Sequence, residues 1–282
     1  MNKFIISGFA DEIDDKVDLQ FKTLNELGIS YFEPRGIDGK NISTLTEDEM
    51  VSLKEKMDKM GIKASSIGSP IGKMKIEDDF DKELEKFHNV IKVAKTLESK
   101  YIRMFSFYCG GENEKYRDKV MAYLKEYVKI AEKEGIILLH ENEKDIYGDI
   151  PERIVDIFEN VKSDNLKAVF DPANFVQCGV DTLKAFDMLK EHIEYMHIKD
   201  ALSTDGSVVP AGYGNGNVKE IISSLDKMGW SGFLSLEPHL GTFGQLKQLE
   251  LDDKMLSLER KSDSSTFAIA HSALLKIINN KE

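Results

Sequence analysis

The chain has 282 residues, of which 41% are hydrophobic and 31% are charged, an ordinary composition for a globular protein with a large core. Its formal net charge of −12 argues against nucleic acid as a partner, because phosphate binding requires a basic face. No apolar run approaches the roughly 20 residues of a membrane span, and the N-terminal stretch MNKFIISGFADEI has too short an apolar run for a signal peptide. The two cysteines, Cys109 and Cys178, form no disulfide framework or CxxC pair, so we expect a cytoplasmic protein.

Short apolar runs alternate with segments of helical period from one end of the chain to the other. The apolar runs predict strands near residues 3–8, 30–34, 63–67, 101–105, 136–140, 166–170, 193–198 and 232–236. The periodic segments predict helices near residues 15–27, 46–60, 79–97, 116–134, 151–161, 181–190, 217–228 and 265–278. Because no linker or low-complexity stretch interrupts this alternation, we expect a single domain over residues 1–282.

The connections between these elements differ at the two ends of the strands. NELGISYFE, DKMGIKASS, EKEGIILLH and DKMGWSGFLSLE each close a helix on a glycine directly before a strand. The connections from strand to helix are long and polar instead. Eight such units predict an α/β fold, a (β/α)8 TIM barrel with its chemistry at the C-terminal ends of the strands. A doubly wound sheet would need a glycine-rich turn after the first strand, and SGFADE is a poor one.

Four consecutive predicted strands end on a side chain that can bind a metal. The fifth strand runs into Glu141, the sixth into Asp171 and the eighth into Glu237, while the seventh reaches His197. Three carboxylates and one imidazole suit a divalent ion such as Mn²⁺, Zn²⁺, Co²⁺ or Mg²⁺, and without a cation the carboxylates would repel one another. Each position alone is more simply explained as a turn or a hydrogen-bonded residue. That explanation would have to hold independently at four strand ends.

Two cationic side chains near these strand ends are candidates for substrate contact. Lys199 lies two residues after His197, on the same side of the predicted strand, where it can neutralise an oxyanion or hold a carboxylate. A surface lysine is the alternative interpretation. Arg103 closes the fourth strand in YIRMFSF, a position where a charged residue is typical of a binding site.

The segments EPRG and LEPH contain further candidates. Glu33 is a candidate substrate contact, although a salt bridge between Glu33 and Arg35 at the rim is the simpler interpretation. His239 follows the eighth strand and is a candidate substrate or supporting residue. His140 is adjacent to Glu141 and faces the opposite side of its strand, so we expect it to be structural.

The glycine-rich segment AGYGNGN, residues 211–217, precedes a predicted helix whose N-terminal N–H groups can bind an anion. It lacks the lysine–hydroxyl pair of a phosphate loop and follows a long connection rather than a strand. We interpret it as a turn-rich helix start, with phosphate binding as the alternative.

The sequence resembles the xylose-isomerase-like TIM barrels, a superfamily of sugar phosphate isomerases and epimerases that includes ketose 3-epimerases, inosose dehydratases and endonuclease-four-type enzymes. LLHENE, FDPANF, MHIKDA and GFLSLEPH carry the resemblance, and GFADEI supports it. The resemblance implies that Glu141, Asp171, His197 and Glu237 bind one divalent metal, with the two glutamates as the acid/base pair. Relatives often have histidine where Asn174 stands, and asparagine can hydrogen-bond a substrate hydroxyl but cannot ligate a second metal as imidazole does.

The expected function is therefore a divalent-metal-dependent isomerase or epimerase of a small sugar, sugar acid or sugar phosphate. The metal would polarise a carbonyl so that a carboxylate removes the neighbouring proton, leaving a metal-stabilised enediolate. An inosose-type dehydratase and a non-catalytic sugar-binding barrel are the alternatives, while the acidic chain and its six histidines disfavour a DNA repair nuclease. A homo-oligomer is possible, with residues 241–264 as a candidate interface.

Overall fold

The structure is a computed structural model that describes residues 3–241 and 261–279. The strands that correspond to the predicted ones, numbered one to eight below, are Phe4–Gly8, Tyr31–Phe32, Lys63–Ala64, Tyr101–Met104, Ile137–Glu141, Leu166–Phe170, Ile193–Ile198 and Gly232–Leu236. The α-helices of the described residues are Val17–Glu26, Glu47–Met60, Phe80–Thr96, Asn113–Glu134, Pro151–Val161, Pro172–Gln177, Thr182–Leu189, Val218–Lys227 and Ser264–Asn279.

The strands assemble into a curled parallel sheet in which six of them follow the order one, eight, seven, six, five, four. Strands two and three form a separate parallel pair. Backbone contacts join this pair to its neighbours, since the Glu33 N–H donates to the Gly8 carbonyl at 2.9 Å and Ile67 forms a parallel bridge to Ile102. The expected eight-stranded sheet is thus confirmed in part. Strands two and three are only two residues long, which leaves too few ladder hydrogen bonds for one continuous sheet.

Local signals in the sequence account for the helix boundaries. Helix Glu47–Met60 begins on a capping box in which Thr46 accepts from the N–H of Glu49 and the Glu49 side chain accepts in return. It ends at Gly61, whose φ of 69° is the left-handed conformation expected of a helix-closing glycine. Gly135, with the same φ of 69°, ends the helix before strand five in the same way. These closures keep the helix-to-strand connections short.

The connection between the strand predicted near residues 166–170 and the helix predicted near 181–190 contains a helix that was not predicted. FDPANFVQCG contains the helix Pro172–Gln177, which follows strand six directly. Asp171 caps this helix, because its side chain accepts a hydrogen bond from the N–H of Asn174 at 2.9 Å. Pro172 stands in the first turn, where its missing N–H leaves no intrahelical bond unmade. The helix was missed because Asp171 was interpreted as a metal ligand or a turn residue and its capping role was not considered.

The two faces of the sheet have different neighbours. Met196 and Ile198 of strand seven belong to the large apolar core shared with the helices. Tyr195, on the other face, packs in a small separate cluster and also donates a hydrogen bond to Glu33 at 3.0 Å. Ser235 of strand eight donates to the same carboxylate at 2.8 Å. Tyr195, two residues before His197, and Ser235 therefore form a hydrogen-bonded polar layer with Glu33 on the inner face, next to His197.

Among residues 3–241 and 261–279, no helix combines the length and apolar character needed to cross a membrane. Most of the candidate interface at residues 241–264 lies outside the described part of the chain.

Candidate metal and active site

The four strand-end side chains singled out in the sequence come together in the structure. Glu141, Asp171, His197 and Glu237 each offer one ligand atom, and these atoms all lie within 4.8 Å of one another. Nδ1 of His197 lies 3.0 Å from Oε1 of Glu141, 3.6 Å from Oε2 of Glu237 and 4.0 Å from Oδ2 of Asp171. All four side chains are buried. We call this group the carboxylate–histidine cluster.

Two asparagines tie the ends of strands five and six together. The side chain of Asn142 donates to the carbonyl of Asp171 and accepts from its N–H, both at 2.9 Å. Nδ2 of Asn174 donates to the carbonyl of Asn142 at 2.8 Å and to Oε1 of Glu141 at 3.3 Å. The predicted site residue Asn174 therefore touches the cluster directly. Asn142 was missed, although its position beside Glu141 in HENE was a usable signal.

Two predicted cations lie against the cluster. Nζ of Lys199 is 3.1 Å from both Oδ2 of Asp171 and Oε2 of Glu237. Nη1 of Arg103 is 3.0 Å from Oε2 of Glu141. Both cations are buried, so their charges act on the carboxylates with little screening by solvent.

A third cation, Arg35, reaches the cluster from the segment after strand two. Its Nη1 donates to Oε1 of Glu237 at 2.9 Å, and its Nε and Nη2 donate to Asp11 at 2.9 and 3.0 Å. Glu12, Glu237 and His239 form a second group of potential metal ligands among the described residues. Because Arg35 contacts both glutamates of that group, its guanidinium already supplies their counter-charge.

The residues Phe9, Asp11 and Glu12 were missed as members of the site. The ring centroid of Phe9 lies 4.3 Å from Cζ of Arg35 and 4.9 Å from Cζ of Arg103, so one aromatic ring contacts both guanidinium groups. The signal was present in GFADEI, where two carboxylates follow strand one immediately. They were not recognised because their arginine partner lies on another strand connection.

Glu33 lies on the far side of the His197 ring from the cluster. Its Oε2 is 3.3 Å from Nε2 of His197 and accepts hydrogen bonds from Tyr195 and Ser235. Its Oε1 has no hydrogen-bond partner among the described residues. Among the described residues, Glu33 forms no salt bridge with Arg35. Arg35 pairs with Asp11, Glu12 and Glu237 instead.

The remaining histidines of this region have distinct partners. The backbone N–H of His239 donates to Glu12 at 2.7 Å, and its Nε2 lies 3.4 Å from Oε1 of Glu237. His140 points away from the cluster, as expected, with Nε2 2.9 Å from Oγ of Ser106. Burial lowers the pKa of His140 to about 4, which keeps this ring neutral and structural.

The carboxylates of the cluster are electrostatically unequal. Burial alone would raise the pKa of Glu141, but the charges of His197 and Arg103 lower it to about 2. Burial raises the pKa of Asp171 to about 6, against the opposing charge of Lys199 and with the help of the neighbouring glutamates. Asp171 is therefore the carboxylate least compensated by the protein's own cations.

The imidazole responds to the same field. Burial alone would lower the pKa of His197, but the charges of Glu141 and Glu33 raise it to about 10. With a pKa of about 10, the His197 imidazole carries a positive charge at neutral pH. An added divalent cation would replace that proton.

The glycine-rich segment at residues 211–217 binds an anion, but the anion is a side chain of this protein. Asp200 accepts hydrogen bonds from the N–H groups of Gly212 at 2.9 Å, Gly214 at 3.0 Å and Gly216 at 2.8 Å. A Cβ at position 214 would lie 2.4 Å from Oδ1 of Asp200, which explains the glycine there. These donors are used internally, which favours the interpretation as a helix start over a phosphate site.

A parallel sheet with carboxylates and an imidazole at the C-terminal ends of its strands is typical of TIM-barrel proteins, and this set of side chains could hold a metal ion. The chain belongs to the family described as Xylose isomerase-like TIM barrel, which it matches over residues 21–256. It is also 29% identical over 125 residues to the uncharacterized protein MJ1311 of Methanocaldococcus jannaschii. That match spans 43% of this chain and 43% of the relative, less than half of the length of each.

Several solved structures share the fold over nearly the whole chain. The IolI protein with a bound zinc atom superposes with a TM-score of 0.76 at 16% identity, covering 98% of both chains. D-allulose 3-epimerase from Methylomonas sp. in complex with D-allulose gives 0.75 at 16% identity, covering 99% of this chain and 98% of the other. The probable 3-DHS dehydratase AsbF of Bacillus anthracis gives 0.70 at 17% identity, covering 91% and 100%. At these identities the likeness establishes the fold.

Proposed function

We propose that this chain is a divalent-metal-dependent isomerase or epimerase of a small sugar, sugar acid or sugar phosphate. The observation that carries the proposal is the buried convergence of Glu141, Asp171, His197 and Glu237. Support comes from the family membership and from fold neighbours described as an epimerase with a bound sugar and as a zinc-binding protein. We further propose that residues 1–282 form one domain whose eight strands complete a barrel around this site.

The chemistry of the donor set fits one divalent ion. Three carboxylates and one imidazole suit Mn²⁺, Zn²⁺, Co²⁺ or Mg²⁺. Oδ2 of Asp171 is buried and lies 3.1 Å from Nζ of Lys199, but it has no aligned hydrogen-bond partner among the described residues, so this oxygen can act as a metal ligand. When bound, the metal would polarise a substrate carbonyl and acidify the neighbouring C–H bond.

The two glutamates are arranged as a pair of bases. Oε2 of Glu141 is held by Arg103 and Oε1 of Glu237 is held by Arg35, so each carboxylate keeps its other oxygen toward the cluster. Strands six and seven separate the strands that carry them, so they can approach a substrate from different sides. One carboxylate removes a proton beside the carbonyl. Return of a proton to the other face epimerises the carbon, and return to the adjacent carbon isomerises the sugar.

The cations and amides around the pair would bind the substrate oxygens. We assign this role to Lys199, Arg103, Asn174 and His239, each of which contacts a carboxylate of the cluster. Lys199 can stabilise the oxyanion that forms when the proton leaves. If the substrate carries a phosphate, its site lies elsewhere than the glycine-rich segment at residues 211–217, whose N–H groups bind Asp200.

A dehydratase is the second candidate, and Lys199 is the observation that favours it. Its ammonium lies 3.1 Å from Oε2 of Glu237, so a proton donor and a carboxylate base stand side by side. After proton removal by the glutamate, Lys199 could protonate a departing β-hydroxyl. The fold likeness to a probable dehydratase supports this alternative. A non-catalytic sugar-binding barrel would retain the pocket without the reaction.

The test is a screen of ketoses and sugar acids in deuterated water, with Mn²⁺, Zn²⁺, Co²⁺ or Mg²⁺ added in turn and products identified by NMR. An isomerase or epimerase incorporates deuterium at carbon without loss of water. Loss of water would favour the dehydratase. Sugar binding without either change, with every metal, would contradict the proposed reaction and favour the binding barrel.

A further inference from the structure

The two nitrogens of His197 lie in different environments. Nδ1 faces the cluster, 3.0 Å from Oε1 of Glu141 and 3.6 Å from Oε2 of Glu237. Nε2 is on the other edge of the ring, 3.3 Å from Oε2 of Glu33. If Nδ1 is the ligand atom, the ring proton must reside on Nε2, because a neutral imidazole carries one proton. The group next to Nε2 then decides whether that tautomer is favoured.

Hydrogen bonds from two other strands hold the Glu33 carboxylate in place. Glu33 follows strand two, while its Oε2 accepts from Tyr195 of strand seven at 3.0 Å and from Ser235 of strand eight at 2.8 Å. Glu33, Tyr195, Ser235 and His197 are each 0% exposed. The carboxylate therefore cannot drift away from the imidazole without breaking two buried hydrogen bonds.

Two buried polar atoms here lack an aligned hydrogen-bond partner among the described residues. They are Nε2 of His197 and Oε1 of Glu33, which belong to side chains in contact. Leaving both atoms unpaired is costly inside a protein. A hydrogen bond from Nε2–H to the Glu33 carboxylate would satisfy the imidazole, and the 3.3 Å between Nε2 and Oε2 is already within hydrogen-bond reach.

We propose that Glu33 is a positioning residue for the metal site: it accepts the Nε2–H of His197 and thereby presents Nδ1 to the ion. This inference rests on the proposed function, because it concerns the same cluster. It assigns Glu33 a role other than the substrate contact expected from the sequence, since His197 lies between Glu33 and the cluster. A carboxylate that hydrogen-bonds a metal-ligating histidine fixes its orientation and raises its basicity.

The test compares zinc binding by the full chain and by the variants Glu33→Leu and Glu33→Gln. Zinc affinity is measured by competition with a chromophoric chelator, and the His197 ring by ¹⁵N NMR of the zinc-loaded protein. We expect Glu33→Leu to bind zinc about 10- to 100-fold more weakly, with a displaced Nε2 resonance. Glu33→Gln retains a carbonyl acceptor, so we expect a smaller loss and a partly restored resonance.

The matched control is Ser65→Ala. Ser65 lies in the same buried layer and contacts Tyr195 at 2.8 Å and Ser7 at 2.6 Å. Its removal disturbs the packing of the layer while leaving the Glu33 carboxylate beside His197. We expect its zinc affinity and His197 resonances to match those of the unchanged protein.

The outcomes distinguish failure of the role assigned to Glu33 from failure of the proposed metal-dependent function. Wild-type zinc affinity and an unchanged His197 spectrum in both Glu33 variants would overturn the role of Glu33 while leaving the metal site intact. So would an equal loss of affinity in Ser65→Ala. If Glu33→Leu does not fold, the same criteria apply to Glu33→Gln. Failure of the unchanged protein to bind any divalent metal would overturn the proposed function, and the inference with it.

Discussion

Two buried regions of this molecule surround carboxylates with polar groups: the glycine-rich segment around Asp200 and the carboxylate–histidine cluster. They differ in how the negative charge is compensated. Asp200 receives hydrogen bonds from the N–H groups of Gly212, Gly214 and Gly216, so the backbone compensates its charge. In the carboxylate–histidine cluster, by contrast, the burial of Asp171 and its carboxylate neighbours raise its pKa to about 6. A carboxylate satisfied by backbone donors stabilises a loop. A buried carboxylate with too little counter-charge, as at Asp171, favours binding of a cation.

The contacts of Asp200 favour a structural role for the glycine-rich segment in spite of its motif-like appearance. A phosphate would compete with an aspartate that is already in place and close to the backbone. In the cluster, by contrast, Oδ2 of Asp171 is buried without an aligned hydrogen-bond donor among the described residues. Both regions contain buried aspartates, and they differ in whether each carboxylate oxygen has a hydrogen-bond donor.

If the cluster is the catalytic region and the glycine-rich segment is structural, the largest loss of activity is expected from substitution of Glu141 and Glu237. Glu141→Gln and Glu237→Gln should each slow deuterium exchange of the substrate by about 10²- to 10⁴-fold, because each removes a general acid/base. NMR in deuterated water measures the rate, and circular dichroism checks the fold. Glu194→Gln, the same chemical change at the start of strand seven, is the control. Undiminished exchange in both glutamate variants would rule out the acid/base assignment.

The same substitution, aspartate to asparagine, should have different effects at Asp171 in the cluster and at Asp200 beside the glycine-rich segment. Asp171→Asn should weaken divalent-metal binding by about 10-fold or more, because an anionic ligand is lost. Asp200→Asn should leave metal affinity unchanged but lower the free energy of unfolding by about 1–3 kcal/mol, since charge-assisted hydrogen bonds are weakened. Calorimetric titration and urea denaturation measure the two quantities. If both variants lost metal affinity equally, the two regions would not be independent.

A smaller effect is expected on the pH dependence of metal binding. The pKa of His197 is raised to about 10 and that of Asp171 to about 6, and a ligated metal requires both groups deprotonated. Metal binding at pH 7 should therefore release about one proton, with affinity rising about tenfold per pH unit between 6 and 10 and more steeply below 6. Titration calorimetry in buffers of different ionisation enthalpy counts the protons. An affinity independent of pH between 6 and 9 would contradict this prediction.

Much of the fold and the central part of the site follow from local sequence signals. The alternation of apolar runs and amphipathic segments predicted the strands and most of the helices, because strand and helix periods differ along the chain. Asp181, at the start of the helix predicted near residues 181–190, is a residue type typical of helix caps and accepts from the N–H groups of Leu183 and Lys184. Glu141, Asp171 and Glu237 were recognisable because parallel strands bring their C-terminal ends to one rim.

Other features depend on residues that meet only after folding. Arg35 contacts both Asp11 and Glu237, and Glu237 lies 202 residues from Arg35 in the sequence. Nothing in EPRG specifies either partner. The pairing of strands two and three apart from the main sheet likewise depends on which backbone groups come into register, and the sequence pattern of these short runs resembles that of the other strands.

The sequence by itself determined the order of the elements and the residue types at the strand ends, because periodicity, caps and closing glycines act between near neighbours. The tertiary structure alone decided which charges are compensated. It places Asp200 against the glycine-rich backbone, Glu33 against the far nitrogen of His197 and Arg35 against Glu237. These contacts join distant parts of the chain, and burial makes each of them electrostatically strong.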